Sequence, residues 1–216
     1  VLSGGPKRIK LADPDIVEIS NLNRMRATLI NLGQNKTEVA ARRAWEIDPF
    51  ADIELWTDGL KEESLDEFMT DLDIFIDEMD NLRLKVLSRL VCRRLKVAVV
   101  MVTDLGDKVM LDVERFDHEP ERPIFHGSVN LNPEDLIEVS KDDWHKIASQ
   151  IMGLENIPQR LIESVSDKSL KGAPQLGSTA TMAGAVATYA IRQIACGYEM
   201  SSGRYFIDLE KLTQRP

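Results

Sequence analysis

Two predicted strands of this sequence end in pairs of carboxylates. Asp13 and Asp15 follow a predicted strand at Arg8–Ala12, and Asp77 and Asp80 follow a compact apolar run. In an open parallel sheet, ligands bind outside the carboxyl ends of the strands, where an acidic side chain can hold ribose hydroxyls. One or two carboxylates are also enough for a Mg²⁺ ion that keeps several waters. The pattern therefore indicates a nucleotide site with a metal.

Cationic and amide side chains come shortly after the first carboxylate pair. The set is Asn21, Asn23, Arg24, Arg26 and Lys36, and the last of these stands at the start of a predicted helix. Arg and Lys neutralise phosphate oxygens, so the set suits a nucleotide. Each member also has an ordinary structural interpretation as a turn residue, a helix cap or a solvated cation. The set carries more weight than its members because all of it falls at one predicted sheet edge.

The composition is that of an acidic globular protein of 216 residues, with 43% hydrophobic and 29% charged residues and a net charge of −9. This balance argues against a nucleic-acid binder, which carries a basic face. No apolar stretch reaches the roughly 18 residues of a membrane span, and no secretory signal pattern is present. Cys92 and Cys196 are too few and too far apart for a disulfide scaffold or a Cys-rich zinc site. We expect a cytoplasmic protein.

Strands and helices alternate along the first half of the chain. Strands are predicted at residues 8–12, 52–56, 72–76 and 97–102, with helices at 36–47, 62–69 and 81–95. This alternation predicts an α/β fold: a Rossmann-like, doubly wound, mostly parallel sheet flanked by helices. A charged, proline-bearing loop at 117–123 then precedes a mixed extension, with helices at 142–152, 158–165 and 176–196 and a strand at 204–209.

Periodicity also predicts which side chains are buried. In the helix at 81–95 we expect one apolar stripe, made of Leu84, Leu87, Val91 and Leu95. The cations Arg89, Arg93, Arg94 and Lys96 are interpreted as a solvated face. Residues 108–116 alternate like a half-exposed strand. Both cysteines are expected to be structural, and no catalytic role is predicted for His118, His126 or His145.

Four motifs occur in order between residues 8 and 102. They are IKLADPDIVEISNLNR at 9–24, Gly33-Gln-Asn-Lys36, Ile47-Asp-Pro49 and Asp77-Glu-Met-Asp80-Asn81. In sequence and spacing they resemble the signature of the ThiF/MoeB/HesA family, the adenylating enzymes related to the ubiquitin-activating enzymes. That family runs a strand into Asp-x-Asp, then x-Val-x-x-Ser-Asn-Leu-Asn-Arg, and later a strand into Asp-x-x-Asp-Asn.

The resemblance implies an ATP- and Mg²⁺-dependent adenylyltransferase. Its substrate would be the C-terminal carboxylate of a ubiquitin-like protein, a sulfur-carrier protein or a peptide, and the enzyme would be a homodimer. By position, Asp13 matches the family's ribose-binding residue, and Asp15 matches its second acidic residue, near the metal and the phosphates. Asn21 and Arg24 match residues at the phosphates, and Lys36 matches the phosphate-binding lysine. Asp80 matches the Mg²⁺-associated aspartate. Of these, Arg24, Lys36 and Asp80 are the predicted catalytic residues.

Several parts of the family pattern do not occur in this sequence. The Gly-rich loop and its flanking strand and helix are not found, so residues 1–116 read as an adenylation core that lacks its first βα unit. We expect that unit to lie upstream or to come from a second segment or chain. Residues 117–216 read as a C-terminal extension packed on the same domain. With no cysteine between residues 97 and 195 and no paired Cys-x-x-Cys motif, neither a thioester step nor a zinc ion is expected.

Two other functions remain open from the sequence. One is a non-catalytic ThiF-like scaffold that binds a carrier protein or an active paralogue. The other is a dinucleotide oxidoreductase, because Asp13 alone would also suit an NAD ribose. The combination of Asn21, Arg24, Lys36 and Asp80 speaks against the oxidoreductase, since hydride transfer needs no such set of phosphate-binding groups.

Overall fold

The computed structural model describes residues 5–129, 134, 140–166 and 175–213. The chain divides into two compact units, Val1–Phe68 and Met69–Pro216, which we call the first and second units. This division falls earlier than the predicted boundary at residues 116 and 117, which stays a prediction. No helix in the described ranges is long and apolar enough to cross a membrane.

The first unit is built on a parallel strand pair, as predicted. Strand β1 (Arg8–Ala12) pairs in parallel with β2 (Asp52–Trp56), and helix α1 (Lys36–Ile47) connects them. Helix α2 (Leu65–Met69) follows a short 3₁₀ turn, Glu62–Ser64, and ends at the division between the units. The connection from β1 through a helix to a parallel neighbour is the repeating unit of α/β folds.

Strand β1 pairs with β2 along one of its two edges. Lys7 accepts a hydrogen bond from the Asp52 N–H at 3.1 Å, and the Asp13 N–H donates to Trp56 at 3.3 Å. Backbone groups alternate along a strand, so those of Arg8, Lys10 and Ala12 face away from β2. In the described part of the chain this sheet consists of β1 and β2, so β1 is an edge strand of the sheet.

The second unit contains a four-stranded mixed sheet in the order β3-β4-β5-β6. Its strands are β3 (Ile74–Ile76), β4 (Ala98–Leu105), β5 (Lys108–Glu114) and β6 (Gly203–Asp208). The β3–β4 pair is parallel, as predicted, whereas β4–β5 and β5–β6 are antiparallel. Gly106 lies in the tight turn between β4 and β5 and has a φ of +67°. Residues that carry a side chain rarely adopt this backbone conformation.

Helices cover both faces of this sheet. The helices of the second unit are α3 (Leu82–Leu95), α4 (Lys141–Met152), α5 (Gln159–Ser166), α6 (Gly177–Ala195) and α7 (Leu209–Thr213). On one face, α6 packs against the valines and leucine of β4 and β5 through Met182, Val186 and Ala190. On the other face, Leu82 and Val86 of α3 join Met101, Met110, Phe125 and Ile151 in a second core cluster.

The prediction that residues 108–116 form a half-exposed strand is wrong. Strand β5 is central in the sheet, and Val109 to Glu114 are all buried. The polar half of its alternation, Asp112 and Glu114, is buried as well, at 1% and 0% exposure. The polar residues that alternate with apolar ones in β5 therefore form buried ion pairs and do not face solvent.

The predicted burial pattern of α3 is also wrong. The buried residues of this helix are Leu82, Val86, Ser88, Arg89 and Cys92, whereas Leu95 of the expected stripe is 37% exposed. The buried face of the helix is thus the face that carries Arg89, whose side chain is fully buried. Burial of a guanidinium is costly unless carboxylates pair with it.

Two carboxylates compensate the buried charge of Arg89. Its Nη1 donates to Asp77, and its Nε donates to Glu114 at 2.6 Å. Asp77 also pairs with Lys85, whose Nζ lies 3.1 Å from Asp77 Oδ1. Burial alone would raise the pKa of Asp77, but the charges of Lys85 and Arg89 outweigh it and hold that pKa below its ordinary value. Asp77 is therefore a charged core residue.

A second buried pair fixes the turn that follows β5. His126 Nδ1 accepts from Arg122 Nε at 3.1 Å, which leaves Nε2 to donate to Asp112 at 3.0 Å. Asp112 also accepts from Arg204 Nε at 2.8 Å. These hydrogen bonds outweigh burial and keep the pKa of Asp112 below its ordinary value. They also hold His126 at a φ of +56°, in the left-handed region that non-glycine residues rarely occupy.

Replacing Arg89 by Met should cost about 3–5 kcal/mol in the free energy of unfolding, because Asp77 and Glu114 would lose their buried partner. The matched control is Arg94→Met, since Arg94 is exposed on the same helix and should change stability by no more than about 0.5 kcal/mol. Urea denaturation of both variants measures the difference. A loss below about 1 kcal/mol in Arg89→Met would contradict the assigned role of this ion pair.

Acidification should destabilise the protein. Ion pairs and hydrogen bonds hold the pKa values of Asp77 and Asp112 below the ordinary value of an aspartate in the folded state. The unfolded chain therefore binds more protons as the pH falls through about 4. The stability these groups contribute is complete above that pH and is lost as the pH drops through their folded-state pKa values. Burial raises the pKa of Glu114, which acts in the opposite direction.

The measurement is the urea midpoint between pH 7 and pH 3, with Asp112→Asn as the comparison. The wild type should lose more stability on acidification than the variant, which has one fewer depressed carboxylate. Equal pH profiles for the two proteins would show that Asp112 does not contribute.

Candidate functional site

The loop after β1 is fastened to the start of α1 by Asn35. As the N-cap of the helix, Asn35 accepts a hydrogen bond from the Thr37 N–H at 2.9 Å through its side-chain oxygen. Its side-chain nitrogen donates to the backbone oxygens of Asp13 at 2.9 Å and Thr57 at 3.2 Å. Asp13 directly follows β1 and Thr57 directly follows β2, so one amide fixes the helix N-terminus beside both strand ends.

Pro14 is held in place by a close approach to Gly59. A Cβ atom at Gly59 would lie 2.7 Å from the Pro14 side chain, and the φ of this glycine is +72°. Only glycine combines that backbone conformation with that clearance. The Asp13-Pro14-Asp15 segment is therefore fixed by packing as well as by hydrogen bonds.

Three of the predicted site residues come together at this point. Lys36 Nζ lies 2.7 Å from Asp15 Oδ2 and 4.0 Å from Asp13 Oδ2. The other oxygen of Asp13 accepts the Asp15 N–H at 2.9 Å. Lys36 also occupies the first turn of α1, where backbone N–H groups and the helix dipole favour anions. Two carboxylates and one ammonium beside a helix N-terminus suit the ribose and phosphates of a nucleotide.

Asn21 and Arg24 form hydrogen bonds within their own turn. Asn21 is buried, and its side-chain oxygen accepts the Glu18 N–H at 3.0 Å. Arg24 Nη1 donates to the Ser20 carbonyl at 2.7 Å and to Asn23 Oδ1 at 3.0 Å. These contacts fix the shape of the turn, and the roles of both residues at a phosphate stay predictions.

Asp80 belongs to the second unit and differs from Asp77 in its environment. Asp80 is exposed, and its backbone oxygen accepts a hydrogen bond from Trp144 Nε1 at 3.3 Å. Asn81, not Asp80, caps α3 by accepting the Leu84 N–H at 3.0 Å. The carboxylate of Asp80 is thus not used as the helix cap, whereas the carboxylate of Asp77 is buried and paired with Arg89 and Lys85.

The chemistry of Asp80 and Asp15 is compatible with Mg²⁺. Within residues 5–129, 134, 140–166 and 175–213, no group of three or more His, Cys, Asp or Glu side chains could hold a metal ion. A Mg²⁺ ion that accompanies a nucleotide needs only one or two carboxylates, because phosphates and waters complete its shell. Single exposed carboxylates therefore fit this ion, although a closed all-protein metal cage is not formed.

Sequence reasoning missed Asn35 and Gly59. Asn35 carried a local signal, because an Asn directly before a helical pattern is a typical N-cap. Gly59 had no local signal in the sequence, because its close contact is with Pro14, which lies 45 residues earlier. Long-range packing of this kind is not visible in local patterns.

The two cysteines have different environments. Cys92 is fully buried in α3, and burial raises the pKa of its thiol to about 12. A thiol in that state is neither accessible nor ionised at neutral pH, so it is not a nucleophile. Cys196 follows α6 and is exposed, and the structural role expected for it stays a prediction.

Comparison with known proteins identifies related sequences. The ThiF family pattern matches residues 1–215. An uncharacterized protein of Mycobacterium tuberculosis, MT1398, is 37% identical over 215 residues, covering 96% of this chain and 30% of that protein. A probable molybdopterin-synthase adenylyltransferase of Porphyra purpurea is 25% identical over 136 residues, covering 62% of this chain and 36% of that protein. The chain thus spans about a third of the length of these curated relatives.

Solved structures share the fold at low sequence identity. PaaA superposes with a TM-score of 0.64 at 15% identity, covering 94% of this chain and 53% of that chain. Escherichia coli MccB, crystallised with MccA-N7isoASN, superposes with a TM-score of 0.62 at 15% identity, covering 93% of this chain and 57% of that chain. These similarities establish that the α/β fold predicted from the sequence is correct.

Alkylation should distinguish the two cysteines. In the folded protein iodoacetamide should modify Cys196 and leave Cys92 unmodified, because only Cys196 is exposed. Both should react after denaturation, which serves as the control. Intact-mass and peptide analysis measure the outcome, and rapid modification of Cys92 in the folded protein would contradict its protected environment.

Proposed function

Because this chain belongs to the ThiF family, we propose that it forms part of an adenylyltransferase that activates a carboxylate with ATP. The observation that carries the proposal is the contact of Asp13, Asp15 and Lys36 at the N-terminus of α1. These are the positions at which the sequence resembles the nucleotide-binding motifs of the family. The activity is proposed for the full-length protein, since the chain spans only part of its relatives.

The proposed substrate is the C-terminal carboxylate of a peptide, a ubiquitin-like protein or a sulfur-carrier protein. Support comes from a relative described as a probable molybdopterin-synthase adenylyltransferase and from MccB structures that contain MccA or AMPCPP. By the same family membership we propose a cytoplasmic homodimer, which sedimentation of the full-length protein tests.

The proposed reaction needs no protein nucleophile. The substrate carboxylate attacks the α-phosphorus of ATP, an acyl-adenylate forms, and pyrophosphate leaves. Asp13 would hold the ribose hydroxyls, while Lys36 and Arg24 would neutralise the negative charge that shifts toward the leaving pyrophosphate, with Asn21 beside them. Bound Mg²⁺, held by Asp80, would supply further charge neutralisation at the phosphates. Catalysis would therefore rest on positioning and electrostatics.

A thioester step is not part of the proposal. Such a step needs an accessible, ionisable thiol, and Cys92 is buried with its pKa raised to about 12. Cys196 is exposed, but it does not stand where the family sequence keeps its nucleophile. The activated product would therefore leave as the acyl-adenylate or be attacked by a second substrate.

Exchange of labelled pyrophosphate into ATP by the full-length protein tests the function, and the assay includes a peptide or carrier protein whose C-terminal carboxylate can form the acyl-adenylate. Arg24→Ala, Lys36→Ala and Asp80→Ala should each reduce exchange by at least about tenfold, equivalent to about 1.4 kcal/mol. Each removes a group that neutralises phosphate charge or holds the metal. Arg94→Ala is the control, since this exposed residue of α3 lies outside the proposed site.

Binding measurements on the same protein, made beside the exchange assay, separate the other functions. Binding of NAD without binding of ATP would favour an oxidoreductase. Binding of a carrier protein with no exchange would favour a non-catalytic partner. Wild-type exchange in Asp80→Ala would remove the metal assignment of that residue while leaving the activity in place.

A further inference from the structure

We infer that Trp144 of α4 is a positioning residue: it holds the loop that carries Asp80, so that the carboxylate of Asp80 is placed to bind Mg²⁺. This role rests on the proposed function, and it belongs to a residue outside the sequence motifs. Its basis is a hydrogen bond from the Trp144 side chain to the backbone of Asp80, together with the packing of α4 in the second unit.

The loop between β3 and α3 is fixed at both of its ends by its own side chains. At the first end, the buried Asp77 accepts the Met79 N–H at 3.0 Å through Oδ1. At the second end, Asn81 caps α3 by accepting the Leu84 N–H at 3.0 Å. Asp80 lies between these two points and is exposed. The position of its carboxylate therefore depends on what holds its own backbone.

Trp144 supplies that contact from another helix. Its indole Nε1 donates to the backbone oxygen of Asp80 at 3.3 Å, between residues 64 positions apart in the sequence. The indole N–H is a donor only, and it projects from a rigid ring. The place of the ring therefore determines where the Asp80 carbonyl is held.

Helix α4 fixes the place of the Trp144 ring. Ile147 and Ile151 of this helix pack in the core cluster that contains Leu82, the first residue of α3. Residues 144, 147 and 151 are spaced by three and four positions, so they lie along one face of α4. The face of α4 that packs on the core thus brings Trp144 to the start of α3, where Asp80 lies.

The exposure of Trp144 allows its hydrogen bond to be removed without disturbing the core. The residue is 37% exposed, so we expect a smaller ring at this position to leave no enclosed cavity. Phenylalanine keeps an aromatic ring and has no N–H donor. Trp144→Phe therefore removes the contact with Asp80 while Ile147 and Ile151 still anchor α4.

Trp45 offers a matched control in the first unit. Its Nε1 donates to the backbone oxygen of Ala51 at 3.1 Å, and the residue is 40% exposed. It lies in the last turn of α1, at the opposite end of the helix from Lys36. Trp45→Phe therefore removes the same kind of hydrogen bond at a place outside the proposed site.

Pyrophosphate exchange by the full-length protein, measured with a peptide or carrier substrate over a range of Mg²⁺ concentrations, tests the role. Trp144→Phe should raise the Mg²⁺ concentration for half-maximal exchange by about three- to tenfold, as the loss of one hydrogen bond predicts. The kcat at saturating Mg²⁺ should stay within about twofold of the wild-type value, since the carboxylate is still present. In an Asp80→Asn background the same substitution should shift the Mg²⁺ requirement by less than about 1.5-fold. Trp45→Phe should change neither value.

Hydrogen exchange of the protein without nucleotide or metal gives a second readout, independent of activity. The amides of residues 79–82 should exchange about three- to tenfold faster in Trp144→Phe than in the wild type, because the loop opens more often. Trp45→Phe should leave these amides unchanged. The melting temperature of Trp144→Phe should fall by no more than about 4 °C, as expected for one lost hydrogen bond.

Three results would overturn the inference. An unchanged Mg²⁺ requirement in Trp144→Phe, or an equal shift in the Asp80→Asn background, would show that Trp144 does not act through the Asp80 carboxylate. Unchanged hydrogen exchange at residues 79–82 would show that the indole N–H does not hold the loop. Absence of pyrophosphate exchange in the wild-type protein would instead refute the proposed function and the metal role with it, and hydrogen exchange alone would then decide whether Trp144 holds the loop.

Discussion

The buried guanidinium of Arg89 constrains how the strands and helices of the second unit pack. A buried cation is tolerated only with its counter-charges in place, so Asp77 after β3 and Glu114 on β5 must meet α3. The remaining oxygen of Glu114 accepts the Phe125 N–H at 2.6 Å, and the guanidinium lies 4.1 Å from the centre of the Phe125 ring. One side chain thereby joins two strands, a helix and a turn.

This constraint explains why two aspartates of one motif have different roles. Asp77 is the residue that Arg89 requires, and its burial removes it from solvent and from any nucleotide. Asp80 follows three residues later, past the end of the strand, and is exposed. A strand that ends in Asp-x-x-Asp therefore supplies one carboxylate to the core and one to the surface, and only the second is available for a ligand.

Local patterns in the sequence predicted the elements but not the polar core. The bounds of β1, β2 and α1 agree with prediction because alternation, helical periodicity and Asp48-Pro49 are short-range signals. Lys36 of the motif lies within 4.0 Å of the carboxylates of both Asp13 and Asp15. The burial of Arg89 and Glu114 could not be predicted, since the two residues are 25 positions apart and each is usually a surface residue when considered alone.

The ion pairs of Arg89 and the charges of the proposed site lie in different environments. In the second unit the ion pairs of Arg89 with Asp77 and Glu114 are buried, so removing one partner leaves a desolvated charge and weakens the fold. In the first unit Asp15 is exposed, and its loop is held by Asn35 and by backbone hydrogen bonds. The charge of Asp15 can change while that framework remains. Because the backbone sets the shape of the proposed site, we expect substitutions of its exposed charges to change its chemistry without loss of the fold.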